Sequence, residues 1–407
     1  RTTRSRPDSR RLPSHQNLAG PGFKPGLFCG LVDRAYLGLK GAMIRYRLFE
    51  VWRFLAALLI MFYHFAHAAP AESLWVKDAL ESLRPLLDLF FIISGYLIFV
   101  RYGAEVRDLP SYLRYLARRL VRLYPLHLAT LSYFVAVGLA VSFGLSRTGG
   151  NAELYRWDML IPNLLLIQAW GFDGPLSFNF VSWSLSGEWF AYLALPVVIL
   201  AHRRAGVAGL AVLLLLSYAA LEAMILSGLM PVKSWVFADS WGAYRVFADF
   251  VLGALISVLV ARCPWRIGQR WPAWAVLFAS CALMAVDVNI YLSITVLALA
   301  VFLAGLAETT DLERFSYPAF LRPAAVVSFG IYLWHPVTEN LFITFLWNKL
   351  THAPSSALFF AYAGLVMVAT VFLAIASFRF FETPVAHALS NALALRRGPA
   401  QTAPASG

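Results

Sequence analysis

The chain has 407 residues and a formal net charge of +12, with 60% hydrophobic and only 14% charged residues. Soluble proteins carry about 25% charged residues. Apolar runs of about 18 residues or more recur along the chain, so the composition excludes an ordinary soluble domain and predicts a polytopic helical membrane protein. The basic residues lie mostly in short loops between these runs, where they set topology, so the charge does not indicate nucleic-acid binding.

The N-terminal segment differs from the rest of the chain. Residues 1–42 are rich in Arg, Pro, Ser and Gly, and the apolar stretch at 27–32 is too short for a signal peptide. Met43 lies just before the first apolar run. We therefore expect 1–42 to be a disordered or non-native extension and 43–386 to form one membrane domain. Residues 387–407 are expected to form a short, disordered cytoplasmic tail.

The apolar segments predict an all-α transmembrane bundle of about ten spans. The predicted spans are 48–69, 85–101, 124–145, 181–201, 206–229, 242–261, 271–286, 288–307, 325–347 and 356–381. Arginines concentrate in alternate loops, on the side of the N terminus, at every alternation except the weak loop 308–323. Both termini are therefore predicted to be cytoplasmic. The apolar stretch 159–170 is only about a dozen residues long, so it is predicted to be re-entrant or interfacial.

The first span carries two ionisable residues, Arg53 and His64, with only apolar and aromatic residues between them. Eleven steps of 100° place both on one helix face, about 16 Å apart along the axis. Insertion of an Arg near the bilayer centre costs about 2.5–3.5 kcal/mol, so such a pair indicates function. His64 can act as a general base because imidazole titrates near neutral pH. A structural histidine bonded to a neighbouring helix is the alternative.

Asp88 begins an apolar stretch in the second span. A buried carboxylate needs a partner, and either His64 or an arginine would serve. A carboxylate that fixes a histidine tautomer is a recurrent catalytic arrangement. A structural ion pair is the alternative, and the sequence leaves both open.

Four arginines between positions 114 and 122 precede the third span at its cytoplasmic mouth. Arg119 and Arg122 are three residues apart and share a helix face. Guanidinium groups bind phosphate bidentately and stay charged, which indicates an anionic, phosphate-bearing ligand from the cytoplasm. Ordinary anchoring by positive charge at the cytoplasmic side is the alternative.

Later spans contain further polar residues. Glu188 lies about two turns into the fourth span and is expected to meet an Arg or His of another helix. Arg245 and Asp249 are four residues apart, which predicts an intrahelical ion pair. His335 lies inside the ninth span beside Pro336. No metal-binding pair, phosphate-binding loop or serine-hydrolase elbow is present, so neither a metal site nor those chemistries are predicted.

Six segments in order carry a family resemblance. They are Arg53 to His64 (Arg-x10-His), Asp88 to Leu97, Arg119 to Pro125, Trp183 to Glu188, Ser328 to His335, and Glu382-Thr383-Pro384. Together they resemble the acyltransferase 3 family of membrane O-acyltransferases over residues 45–386. Phe329 departs from the pattern, since the family usually has Tyr there.

The resemblance implies a multi-pass inner-membrane enzyme that moves an acyl group, often acetyl, from cytoplasmic acyl-coenzyme A to a hydroxyl. The implied acceptors are glycans, lipid-linked sugars or small molecules. The expected residues for binding the donor's phosphates are Arg53, Arg119 and Arg122. The expected catalytic residues are His64 as base, with Asp88 or Glu188 to orient or balance it. The expected substrate-binding residues are Tyr332 and His335.

A transporter or exporter of a small anionic or glycan-related solute is the alternative function. Intramembrane ionisable residues also form solute pathways. However, the sequence shows no two-fold repeat and no matched pair of broken helices, which such transporters often contain. The sequence specifies neither the acceptor nor the acyl group.

Overall fold

The computed structural model describes residues 46–145, 152–237, 239–265, 267–310, 322–347, 349 and 355–395. Within these ranges every regular element is helical, which confirms the predicted all-α class. The predicted extension 1–42 lies outside the described residues, as does the chain from residue 396 onward.

The α-helices of the described ranges differ widely in length. In chain order they are α1 (Arg47–Ala66), α2 (Leu74–Glu81), α3 (Asp88–Tyr102), α4 (Leu109–Ser142), α5 (Leu160–Leu164), α6 (Trp183–Leu193), α7 (Leu195–Leu226), α8 (Gly242–Arg262), α9 (Trp271–Ala285), α10 (Ile290–Thr310), α11 (Arg322–Val326), α12 (Ser328–Thr338), α13 (Ser356–Ser377) and α14 (Thr383–Ala392). A π-helix, Glu339–Trp347, directly follows α12, and another, Phe378–Glu382, follows α13. Helix α14 therefore reaches into the segment 387–407, for which the sequence predicts a disordered tail.

Seven helical segments in the described ranges are long and apolar enough to cross a membrane. They are Arg47–Ala66, Arg84–Tyr102, Leu109–Ser142, Leu195–Leu226, Asp239–Arg262, Ile290–Thr310 and Ser356–Ala392. Helix α9 is apolar but has only 15 residues. The predicted third span is the second part of the 34-residue helix α4. The stretch 159–170 contains the five-residue helix α5, which is too short to span a bilayer.

Helix α7 is interrupted at Gly206, where φ is 59° and ψ is −132°. Glycine adopts positive φ without a steric penalty, so it can reverse the chain here. A Cβ built on Gly209 would lie 2.1 Å from the carbonyl oxygen of Ala201, which shows that the two halves of α7 fold back on each other. This break falls between the predicted fourth and fifth spans. The first half of α7 continues the course of α6 after Ala194.

Helices α3 and α8 form the centre of the bundle and have the most extensive contact of any helix pair in the described chain. A Cβ on Gly95 would lie 2.1 Å from the Phe250 carbonyl oxygen, and one on Gly253 would lie 1.9 Å from that of Ile92. The two glycines therefore allow direct contact between the backbones, as small residues do in membrane helix pairs. Helix α8 also packs against α6, α7 and α10.

Helix α12 links a second group of helices, because it packs against α1, α4 and α13. The Thr338 and Thr370 hydroxyls share a hydrogen bond of 2.7 Å between α12 and α13. This packing brings the polar residues of α12 to the face of α1 that carries Arg53 and His64.

Replacement of Gly95 or Gly253 by Ala is expected to lower the melting temperature in detergent solution. The added methyl group would meet a backbone carbonyl that cannot rotate away, and overpacking of this kind costs about 1–3 kcal/mol. Gly364→Ala is the matched control, because a Cβ there has no atom within 4 Å. That variant should unfold at the wild-type temperature or slightly above it, since Ala favours helix. Equal melting temperatures for all three variants would contradict the close contact of α3 and α8.

Candidate active site

Arg53 and His64 both lie in the continuous helix α1, as the sequence predicts. Their side chains point into the bundle, and each lines a different cavity. We call these the Arg53 cavity and the His64 cavity. The two residues, about 16 Å apart along the helix axis, thus face two neighbouring cavities from one side of α1.

The Arg53 cavity lies between α1, α3, α6 and α12 and has a volume of about 340 Å³ with open solvent included. The Arg53 guanidinium carbon lies 5.7 Å from the centroid of the Phe90 ring. Glu188 lines the same cavity and accepts a hydrogen bond of 2.9 Å from the Tyr192 hydroxyl. The carboxylate of Glu188 and the guanidinium group of Arg53 therefore border the same cavity. The expectation that Glu188 pairs with an Arg or His of another helix stays a prediction.

The His64 cavity is larger, about 620 Å³. The His64 ring stacks on the ring of His335, with centroids 5.1 Å apart and planes at 24°. The edge of Phe180 contacts it from another side, at 5.0 Å between centroids. No side chain in the described ranges hydrogen-bonds to the imidazole of His64. By contrast, the buried His127 hydrogen-bonds to the Asn163 carbonyl at 2.8 Å, as a structural histidine does.

Tyr332 and Leu87 line both cavities, so they form the partition between them. The Tyr332 hydroxyl donates a hydrogen bond of 3.1 Å to the carbonyl of Val181, which fixes the ring between α12 and the turn before α6. The Tyr332 ring also contacts that of His335, at 5.7 Å between centroids. The two predicted substrate-binding residues therefore lie at the partition and against His64.

Asp88 is fully buried at the start of α3, and its partner is Arg245 of α8. Arg245 Nε donates a hydrogen bond of 2.6 Å to Asp88 Oδ1. Asp88 lines neither cavity, so the structure does not bring it to His64. The prediction of an Arg245–Asp249 ion pair is wrong, because Arg245 reaches across to α3. Asp249 instead accepts a hydrogen bond of 3.0 Å from the Tyr218 hydroxyl.

Arg119 and Arg122 of α4 lie outside the lining of the Arg53 cavity and have different surroundings. Arg119 is half-buried and donates a hydrogen bond of 2.9 Å to the Tyr102 hydroxyl. Its Nε is buried and has no hydrogen-bond partner within the described residues. Arg122 is exposed, with its guanidinium carbon 5.8 Å from the centroid of the Phe329 ring. Of the three predicted donor-binding arginines, only Arg53 lines this cavity.

Two charged residues of the His64 cavity were not predicted from the sequence. In the sequence, Arg84 is only one of the basic residues of the loops between spans, and no pattern marks Asp239 as a site residue. In the structure, Arg84 Nη2 and Asp239 Oδ2 form an ion pair of 2.5 Å at the cavity wall. Each residue stands at the first position of a long apolar segment, Arg84–Tyr102 or Asp239–Arg262. That position is the one sequence signal that they share.

The described ranges contain no group of three or more His, Cys, Asp and Glu side chains that could hold a metal ion. The arrangement instead offers a cationic cavity, a neighbouring cavity with an imidazole, and an aromatic partition between them. A bound anion and a hydroxyl acceptor could thus occupy adjacent spaces.

Comparison with known proteins gives concordant matches. A family model described as an acyltransferase domain matches residues 47–379. Acyltransferase MdmB of Streptomyces mycarofaciens is 28% identical over 380 residues, covering 86% of this chain and 93% of that protein. Nodulation protein 10 of Rhizobium leguminosarum bv. viciae is 27% identical over 336 residues, covering 74% and 84% respectively. No solved structure gives a significant match.

The Asp88–Arg245 pair allows a structural role to be separated from a catalytic one. Asp88→Ala should destabilise the protein by about 3–5 kcal/mol, because it leaves the Arg245 charge buried without an anion. The double variant Asp88→Leu, Arg245→Met removes both charges and should recover most of the stability. Thermal unfolding in detergent measures this. If the double variant is stable but cannot perform acyl transfer, Asp88 has a catalytic role after all.

Proposed function

The chain belongs to the acyltransferase family whose domain model covers residues 47–379, and on that basis we propose that it is a membrane O-acyltransferase. It moves an acyl group, with acetyl as the expected case, from cytoplasmic acyl-coenzyme A to a hydroxyl of a glycan, lipid-linked sugar or small molecule. One observation carries this proposal: α1 presents Arg53 to one cavity and His64 to the next.

The topology that fits this function has ten spans in the inner membrane, with both termini cytoplasmic. The seven long apolar helices support seven of these spans. The first half of α7 is assigned, together with α6, to the fourth span. The second half of α7, after the break at Gly206, is the fifth span. Helix α9 is the short seventh span. The ninth span consists of α11, α12 and the π-helix that follows. The arginine-rich loops then lie in the cytoplasm. Arg53 is nearer the cytoplasmic end of α1, and His64 is nearer its outer end.

The donor enters from the cytoplasmic end, where its phosphates meet the arginines. Arg122 is exposed, and Arg119 retains a buried Nε–H without a partner in the described chain, so both guanidinium groups keep donors for an incoming anion. Arg53 lies deeper, in the cavity that the thioester arm must cross. Glu188 balances the charge of Arg53 in this cavity rather than orienting His64.

The reaction takes place beyond the partition formed by Tyr332 and Leu87. His64 accepts the proton of the acceptor hydroxyl, and the oxygen attacks the thioester carbonyl. The carbon–sulfur bond breaks, and the proton passes from His64 to the leaving thiolate, so that coenzyme A departs as the thiol. His335 holds the plane of the His64 ring by stacking. The Arg245–Asp88 pair lies apart from these steps and supports the bundle.

Acyl transfer can be tested directly against the transporter alternative. Purified protein in nanodiscs is incubated with labelled acetyl-coenzyme A and a membrane-glycan extract, and thiol release and label transfer are measured. A counterflow assay in vesicles runs in parallel with candidate anionic solutes. Thiol release with label on the extract supports transfer, and counterflow without thiol release would overturn it. Mass spectrometry of glycans and lipids from a strain that lacks the protein would then identify the acceptor.

His64→Ala is expected to reduce label transfer by roughly 10²–10⁴-fold, the usual contribution of a general base, without loss of expression. His387→Ala is the control, because His387 lies on α14 and lines neither cavity. That variant should keep full activity. Full activity in His64→Ala would contradict the mechanism.

Arg53→Lys is expected to raise the KM for acetyl-coenzyme A about tenfold. Lysine keeps the charge but loses the planar fork, and one lost charge-assisted hydrogen bond is worth about 1.5 kcal/mol or more. Arg114→Lys is the control, since Arg114 is exposed on α4. Initial-rate kinetics at saturating acceptor measure the effect. An equal KM in the two variants would argue against a donor contact at Arg53.

A further inference from the structure

The His64 cavity has a polar end that the proposed chemistry leaves unused. Asp239 lines this cavity, and its carboxylate is only partly satisfied. Oδ2 is paired with Arg84, whereas Oδ1 is buried and has no hydrogen-bond partner in the described part of the chain. A buried, unpaired carboxylate oxygen is costly, so its presence in a cavity wall points to a ligand that donates a hydrogen bond there.

The partner of Asp239 is held rigidly. Arg84 Nε donates a hydrogen bond of 3.2 Å to the Val236 carbonyl, and its guanidinium carbon lies 5.2 Å from the centroid of the Phe237 ring. These contacts orient the guanidinium group, and the ion pair in turn fixes Asp239. A binding group held in this way loses little conformational freedom when a ligand arrives.

The remaining wall of the cavity is mainly apolar. Leucines from α1, α2 and the turn before α3 line it, together with Phe180 and Trp183. The space between these side chains amounts to about 620 Å³ with open solvent included, so the cavity communicates with its surroundings. An acceptor that fits this cavity therefore combines an apolar body with hydroxyl groups at one end.

We propose that Asp239, positioned by Arg84, selects the acceptor by accepting a hydrogen bond from a second hydroxyl while the reacting hydroxyl faces His64. The chemical class is thus an amphipathic polyol, rather than a free sugar or a simple alcohol. This inference rests on the proposed acyl transfer, because it assigns the acceptor side of the same site.

Octyl β-D-glucoside, which has an apolar tail and several hydroxyls, is the test acceptor, with 1-octanol and glucose for comparison. Thiol release from acetyl-coenzyme A is followed in nanodiscs against the concentration of each compound, with the glucoside kept below its micelle concentration. The wild-type protein is expected to have a lower KM for the glucoside than for either comparison compound. Asp239→Asn should raise the KM for the glucoside about tenfold and bring it close to that for 1-octanol.

Asp78→Asn is the matched control, because Asp78 is an exposed acidic residue on α2 whose side chain is 67% accessible. It should keep the wild-type KM. If Asp239→Asn lowers the melting temperature, Asp239→Glu provides a second variant, which keeps a carboxylate for Arg84 but moves it by one methylene. A wild-type KM for the glucoside in a folded Asp239 variant would overturn the proposal, as would a wild-type protein that does not distinguish the glucoside from 1-octanol. If no acceptor, including the glycan extract, gives thiol release, the proposed function itself is wrong.

Discussion

The cost of a charge without a partner in an apolar bundle determines much of this structure. Asp88 and Arg245 are both buried, and their hydrogen bond of 2.6 Å joins α3 to α8 at the point where α3 begins. The backbone contacts at Gly95 and Gly253 continue the same interface along the two helices. The result is a fixed central pair, and the cavities that hold Arg53 and His64 lie beside it.

In the proposed mechanism, the partition between the two cavities separates two chemical tasks. Capture of an anion requires positive charge and access to water, whereas transfer to a hydroxyl must compete with transfer to water. A site that excludes water favours the intended acceptor and protects a reactive thioester. Tyr332 stands between the two cavities, and its hydroxyl is satisfied by the Val181 carbonyl. The same helix supplies His335, whose ring stacks on that of His64.

Local periodicity explains which features could be predicted from the sequence. The helical class and the common face of Arg53 and His64 follow from the spacing of apolar residues within one segment. The partner of Asp88 could not be found in this way, because Arg245 is 157 positions away and has an apparent partner, Asp249, one turn along its own helix. The packing of α3 against α8 determines that Arg245 pairs with Asp88 and not with Asp249.

Charged residues at the ends of apolar segments are difficult to predict as site residues for a different reason. Arg84 resembles the many residues that set the topology of a membrane protein, and nothing in its neighbourhood marks it as part of a site. Its contact with Asp239 arises only when the first positions of two distant segments meet beside α1. The inward position of Glu188 was easier to anticipate, since a carboxylate two turns inside an apolar helix is expected to face the bundle interior.

The reversal at Gly206 has a mechanical consequence. A turn made by a single residue has no slack, so the two halves of α7 cannot slide past each other or separate at that end. The tip is also tethered, because Arg203 donates a hydrogen bond of 2.9 Å to the Val106 carbonyl between α3 and α4. Helix α6, which carries Glu188, precedes this hairpin with only Ala194 between them. The carboxylate of Glu188 is thus carried by a helix that leads directly into a tethered turn.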